Sequence, residues 1–303
     1  MEQTLPFLIL LALGLLLQWL PVFPADTDRS LNLYVIYIAL PALILLQVPK
    51  LRFSVEILGP ILMPWLALAC SALLTLLLCR FMHWSRETTG ALLLVVPLGN
   101  TSFLGIPMVE QFFGHRAVSY ALLYDQFGSF LALSTYGAFI LAYYSPGTKT
   151  GFRPVIVKIV TFPPFIALTA ALLLPISHYP KEIESLLSMA SASLVPVVMV
   201  AIGFQMRLLL PLADLLPFSL GLFIKLLITP LLFILICRLL NLSGTAIQVS
   251  LFETAMPPMV TASALATIAN LNPRLTSAMV GFGILFSFAT LPLIYKWIQF
   301  YLN

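Results

Sequence analysis

Charge is scarce in this chain. Only 9% of its 303 residues are Asp, Glu, Lys or Arg, against about a quarter in soluble domains. With 61% of residues hydrophobic, there is too little polar surface to cover a compact globule. That one comparison excludes soluble enzymes, nucleic-acid binders and disordered chains. Cysteine is scarce too. Cys70, Cys79 and Cys237 all lie in apolar runs, an odd and widely spaced set that fits neither a disulfide framework nor a zinc site and reads as inert thiols. His83, His115 and His178 are scattered over loops and make no metal cluster. Long hydrophilic stretches are also missing, so no loop can form a soluble domain. The net charge of +4 is spread thinly and gives no footprint for nucleic acid.

What the chain has in quantity is apolar runs of membrane length. A helix needs about 20 such residues to cross roughly 30 Å of hydrocarbon. Backbone in lipid must satisfy its own hydrogen bonds, so the spans should be helices. Between charged or turn-rich breaks, the runs fall near 4–23, 30–48, 55–79, 87–112, 117–143, 154–177, 183–206, 217–240, 244–270 and 275–301. This reads as an all-α polytopic protein with ten spans. The first run lacks a basic leader and a small-residue cleavage site, so it reads as a retained helix. Lys and Arg are slightly denser on loops opposite the termini (Arg29, Arg80, Arg86, Lys149, Arg153, Lys158, Arg207, Arg274) than on the terminal side (Lys50, Arg52, Arg116, Lys181, Arg238, Lys296). The positive-inside rule then places both termini outside, in a plasma (inner) membrane.

The halves resemble each other at a nearly fixed offset. Leu40-Pro41 to Leu51-Arg52 aligns with Val195-Pro196 to Met206-Arg207, Cys79-Arg80 with Cys237-Arg238, Arg116 with Arg274, and Ser129-Phe130 with Ser287-Phe288. The expectation is a five-helix repeat over 1–148 and a second over 149–303. An odd number of crossings would invert the second copy relative to the first, as in secondary transporters.

Two runs carry helix breakers at matching positions. The fourth contains Pro97-Leu98-Gly99-Asn100-Thr101-Ser102-Phe103-Leu104-Gly105-Ile106-Pro107, and the ninth contains Glu253-Thr254-Ala255-Met256-Pro257-Pro258-Met259. Proline removes a donor and clashes with the preceding turn; glycine loosens the backbone. Both runs should unwind near the membrane centre. Unwound backbone at that depth is tolerated where it lines a cavity. The restarting half-helices point N–H groups and a positive dipole end inward, suited to an anion, while the ends of the preceding ones suit a cation. Gly99, Asn100, Thr101, Ser102, Pro257, Pro258 and Met259 are therefore the candidate substrate-binding residues.

These motifs resemble the auxin efflux carrier family, which includes compact bacterial members and the plant PIN carriers. The resemblance covers essentially the whole chain. It implies that broken helices four and nine cross at the midplane, with a scaffold from spans 1, 2, 6 and 7, often dimeric, and a transport bundle from spans 3–5 and 8–10. It implies transport of a small organic anion, malate- or malonate-like or auxin-like, by an elevator-like or rocking alternating-access motion, in a homodimer joined through spans two and seven.

Three ionisable residues lie deep in apolar runs: Asp125, Lys225 and Glu253. A charge at bilayer centre costs at least about 2.5–3.5 kcal/mol, so these are the ion-coupling candidates. Glu253, at the end of a half-helix, would take Na⁺ or H⁺, and Asp125 would pair with Lys225. Glu110, one turn from Gly114, should reach the interface. No enzyme constellation is present, and no cofactor beyond such a coupling ion is implied. Two other readings stay open: a sodium/proton antiporter, and a non-transporting membrane sensor.

Overall fold

The computed structural model describes residues 5–50, 55–144, 156–157, 160–174, 179–206 and 212–302. In chain order its main helices are α1 (Leu5–Leu17), α2 (Thr27–Gln47), α3 (Leu58–Phe81), α4 (Arg86–Val95), α5 (Ile106–Phe113), α6 (His115–Tyr144), α7 (Pro163–Leu173), α8 (Lys181–Gln205), α9 (Leu212–Leu239), α10 (Thr245–Thr254), α11 (Val260–Ile268) and α12 (Pro273–Leu302). The loop charges Arg52, Lys149, Arg153, Lys158 and Arg207, on which orientation partly rests, lie outside the described residues, as does the expected repeat boundary.

The ten-span architecture of two inverted five-helix repeats is not what this structure supports. Among the described residues, six helices are long and apolar enough to cross a membrane: α2, α3, α6, α8, α9 and α12. The other four apolar windows hold shorter pieces. α1 has 13 residues and α7 has 11, about 20 Å or less at 1.5 Å per residue. The window at 87–112 is split into α4, an unwound stretch and α5. The window at 244–270 is split into α10 and α11. Counting apolar residues measures hydrophobic length, but the breakers inside a window decide whether one helix fills it.

Local sequence explains where the pieces start and stop. Ser85 Oγ accepts from Thr88 N–H at 3.2 Å and caps α4. Gly114, at φ 84°, ends α5 in a conformation open to glycine. Three π-helical turns precede prolines: Val35–Ala39 before Pro41, Thr101–Gly105 before Pro107, and Ile224–Ile228 before Pro230. Each proline lacks the N–H that would bond the carbonyl four residues back, so the ladder widens there. A further π turn, Tyr124–Phe130, is held from outside: Trp65 Nε1 donates to Phe127 O at 3.0 Å.

The helices sort into two groups. α1 packs along α8, and α2 packs on α7 and α8. The α1–α8 crossing is close because Gly14 and Gly203 face each other; a Cβ on either would strike the other helix's backbone. The second group comprises α3–α6 and α9–α12, with α4 against α11 and α12, and α10 against α3.

Candidate functional site

The site begins where α4 and α10 stop. Pro97 cannot donate to Leu93 O, and the Tyr136 hydroxyl donates to that carbonyl instead, at 2.8 Å. After Val95 the chain leaves the helix through a turn and a bend to reach Gly99 and Asn100, and after Thr254 it leaves through a turn at Ala255 to reach Pro257–Met259. These two stretches lie antiparallel and pair. Asn100 N–H donates to Pro257 O at 2.8 Å, Met259 N–H donates to Leu98 O at 2.9 Å, and Gly99 sits opposite Pro258. The pairing satisfies backbone groups that neither helix can reach, which is what buried unwound chain requires.

Two cavities flank this junction. The larger encloses ≈ 120 Å³ open to the centre of a water molecule. Asn100, Ser102, Asp125 and Thr261 form its polar side, while Ile36, Leu40, Phe103, Phe130, Phe162 and Met259 contribute to its apolar wall. Phe130 and Phe162 stack with centroids 4.1 Å apart. Ile36 and Leu40 belong to α2, so the chamber lies where the two helix groups meet. Asp125 accepts from Thr101 Oγ1 and Ser102 Oγ, each at 2.5 Å, and from Gln126 Nε2 at 2.7 Å. Asn100 is 2% exposed, and its side-chain amide nitrogen has no hydrogen-bond partner among the described residues. The start of α11 adds the unpaired N–H groups of a helix N-terminus beside Met259. An unspent amide donor and a helix start, set against an aromatic wall, suit an anion with an apolar body.

The smaller cavity, ≈ 20 Å³, lies across the junction and has Gly99, Thr101, Tyr124, Lys225, Thr229 and Glu253 in its lining. Glu253 is 1% exposed and Lys225 is 3% exposed. Neither carboxylate oxygen of Glu253 has a hydrogen-bond partner among the described residues. Lys225 interacts with it electrostatically, but no ion pair within 4.0 Å joins them. Two glycines make room for these heads. A Cβ on Gly105 would collide with both carboxylate oxygens of Glu253, and a Cβ on Gly99 would lie 3.1 Å from Lys225 Nζ.

The candidate residues thus divide between two places. Asn100, Ser102, Asp125 and Met259 share the chamber; Gly99, Thr101, Lys225 and Glu253 share the small cavity. Pro257 and Pro258 shape the junction, and Pro258 packs on Gly283. The expected Asp125–Lys225 pair is absent: Asp125 is bound by two hydroxyls and an amide. Glu110 is part-exposed and accepts from His115 Nδ1 at 2.7 Å. Gly105, Thr229 and the Phe130–Phe162 wall were missed by sequence reasoning. Gly105 carried a signal, since it stands within the breaker motif five residues after Asn100; the other three carried none.

The sequence profile of the family described as membrane transport protein matches residues 1–295. An uncharacterised transporter of Methanocaldococcus jannaschii is 26% identical, with 98% of each chain covered. Another, from Methanothermobacter thermautotrophicus, is 27% identical, with 96% of each chain covered. A match over nearly the whole chain, on a multi-spanning helical protein whose buried polar groups converge on an unwound junction, makes this chain a member of the membrane transport protein family, related to the auxin efflux carriers, and a transport protein rather than an enzyme.

Proposed function

We propose that this protein carries a small organic anion across the membrane, with the chamber at Asn100, Ser102 and Met259 as its binding site. The observation that supports this most directly is the buried Asn100 amide, unpartnered among the described residues, beside the start of α11. An acceptor brought by the substrate would satisfy both, and a buried donor left unmade costs about 1–3 kcal/mol. The wall of Phe103, Phe130 and Phe162 favours a carboxylate with one polar end and an apolar body, auxin-like, over a short dicarboxylate such as malate or malonate.

The chamber's position supports alternating access. One wall comes from α2 and the segment preceding α7, the other from the junction and α6. Movement of the second helix group against α1, α2, α7 and α8 would expose the chamber to each side in turn. Glu253 takes the coupling cation. The working form is a homodimer in the plasma membrane, joined through α2 and α8 and with both termini outside. The N-terminal half of α8, which buries no residue in the monomer, supports such a contact.

Uptake into proteoliposomes tests the reading. Labelled phenylacetate, indole-3-acetate, malonate and malate are offered with and without Na⁺ and a pH gradient. Saturable uptake of an aromatic monocarboxylate, abolished by Asn100→Leu, is expected. Saturable uptake of none of the four would overturn it.

A further inference from the structure

We infer that the small cavity is a proton site, in which Glu253 carries one exchangeable proton and Lys225 transmits its presence to the anion chamber. The inference rests on the anion-carrier reading above and adds the identity of the coupling ion and the path of coupling.

Both Glu253 oxygens are buried without hydrogen-bond partners among the described residues. A fixed carboxylate in that state is costly, so the group must share a proton or a water. The cavity, ≈ 20 Å³, has room for about one water molecule. The charged or titratable groups that face Glu253 are Asp125 and Tyr124 from α6 and Lys225 from α9. α3 offers only Pro64, Ala67 and Leu68 to the cavity. The charges on the other packed helices stand away from it: Arg80, Arg238, Arg274 and Lys296 are exposed, Glu110 is taken by His115, and Tyr295 packs edge-on against Phe252.

A metal cation fits this place poorly. It would need several oxygens and would share the space with the Lys225 ammonium, and like charges at such range repel strongly in a buried setting. A proton needs only one oxygen. It bonds to a Glu253 carboxylate oxygen from water on one side of the membrane and returns to water on the other; no other bond changes.

The consequence reaches the chamber through charge. With Glu253 ionised, its charge offsets that of Lys225. With Glu253 protonated, the Lys225 charge is left uncompensated beside Gly99, one residue before Asn100. An anion in the chamber then restores the balance, so proton and anion bind together and the buried net charge stays constant. Thr101 joins the two sides physically: it lines the small cavity, and its hydroxyl donates to Asp125 at 2.5 Å.

The test has two arms, both on the full chain in lipid nanodiscs. In the first, no substrate is present, and infrared difference spectra are recorded on a pH jump. A protonated-carboxyl band that is lost in Glu253→Gln and kept in Asp125→Asn is expected; a band that survives Glu253→Gln overturns the proton site. In the second, equilibrium binding of labelled phenylacetate is measured above that acid's own titration range. Wild-type affinity should fall by up to about ten-fold per pH unit, the limit for one linked proton. Affinity in Glu253→Gln should be independent of pH, and Lys225→Met should bind more weakly at every pH. Equal wild-type affinity at all pH values, or recovery of affinity by added Na⁺ at fixed pH, overturns the coupling. If phenylacetate does not bind while the Glu253 band behaves as expected, the proton site stands, and the linkage to an anion falls together with the anion reading.

Discussion

Three residues at the junction carry separable duties, and each can be probed alone. Asn100 offers an unspent donor to the chamber, so Asn100→Ala should weaken anion binding while leaving the fold intact. A hydrogen bond to a charged acceptor contributes about 1.5–3 kcal/mol, which corresponds to roughly ten- to hundred-fold in dissociation constant. Scintillation binding read alongside size-exclusion profiles checks both halves of that statement. Gly99 borders Lys225 Nζ and Met256, and Gly99→Leu should abolish transport in a protein that still elutes as a folded species. Gly105 is the seat of the Glu253 head. Gly105→Ala should lower thermal stability by the cost of overpacking, about 1–3 kcal/mol, and Glu253→Ala should relieve it in the double variant. Additive losses in that cycle would show that the two side chains do not meet.

At the scale of elements, the π turns tie the breakers to the chemistry. Thr101 and Ser102, Asp125, and Lys225 all stand in π turns. A π turn rotates the residues within it off the regular helical face and points them where α-helical spacing would not. Pro230 follows the turn that carries Lys225. Pro230→Ala restores a backbone donor and should let α9 run as a regular helix, turning Lys225 away from the small cavity. The expected outcome is unchanged or raised thermal stability with loss of the pH dependence of anion binding. A variant that keeps the wild-type pH profile would show that Lys225 is placed by its packing and not by the proline.

At the scale of the molecule, the chamber lies between two groups of helices that pack more closely within themselves than with each other. If those groups move as bodies, a cysteine placed at Met259 in a protein free of its native cysteines should react with a membrane-impermeant thiol reagent from either side, and saturating anion should change the balance between sides. Reaction from one side only, under every condition, would argue for a static structure. A dimer through α2 and α8 predicts a crosslinked species of twice the chain mass in mild detergent, independent of dilution.

Composition by itself settled that the chain lives in a membrane, because 9% charge cannot solvate a surface this apolar. The breakers Pro97, Gly99, Pro257 and Pro258 marked where helices stop, because proline's missing donor and glycine's freedom act locally. Hydropathy alone misjudged the number of spans: it sums apolar residues over a window and does not register that α4 with α5, or α10 with α11, share one. It also mispaired the buried charges. Helical depth placed Asp125, Lys225 and Glu253 at similar levels, but their partners depend on the rotation of each helix about its axis and on the π turns. Only the packed structure decided that Thr101 and Ser102 hold Asp125 while Glu253 and Lys225 face a separate cavity, because such contacts are set by side-chain directions from distant segments, about which spacing along one helix carries no information.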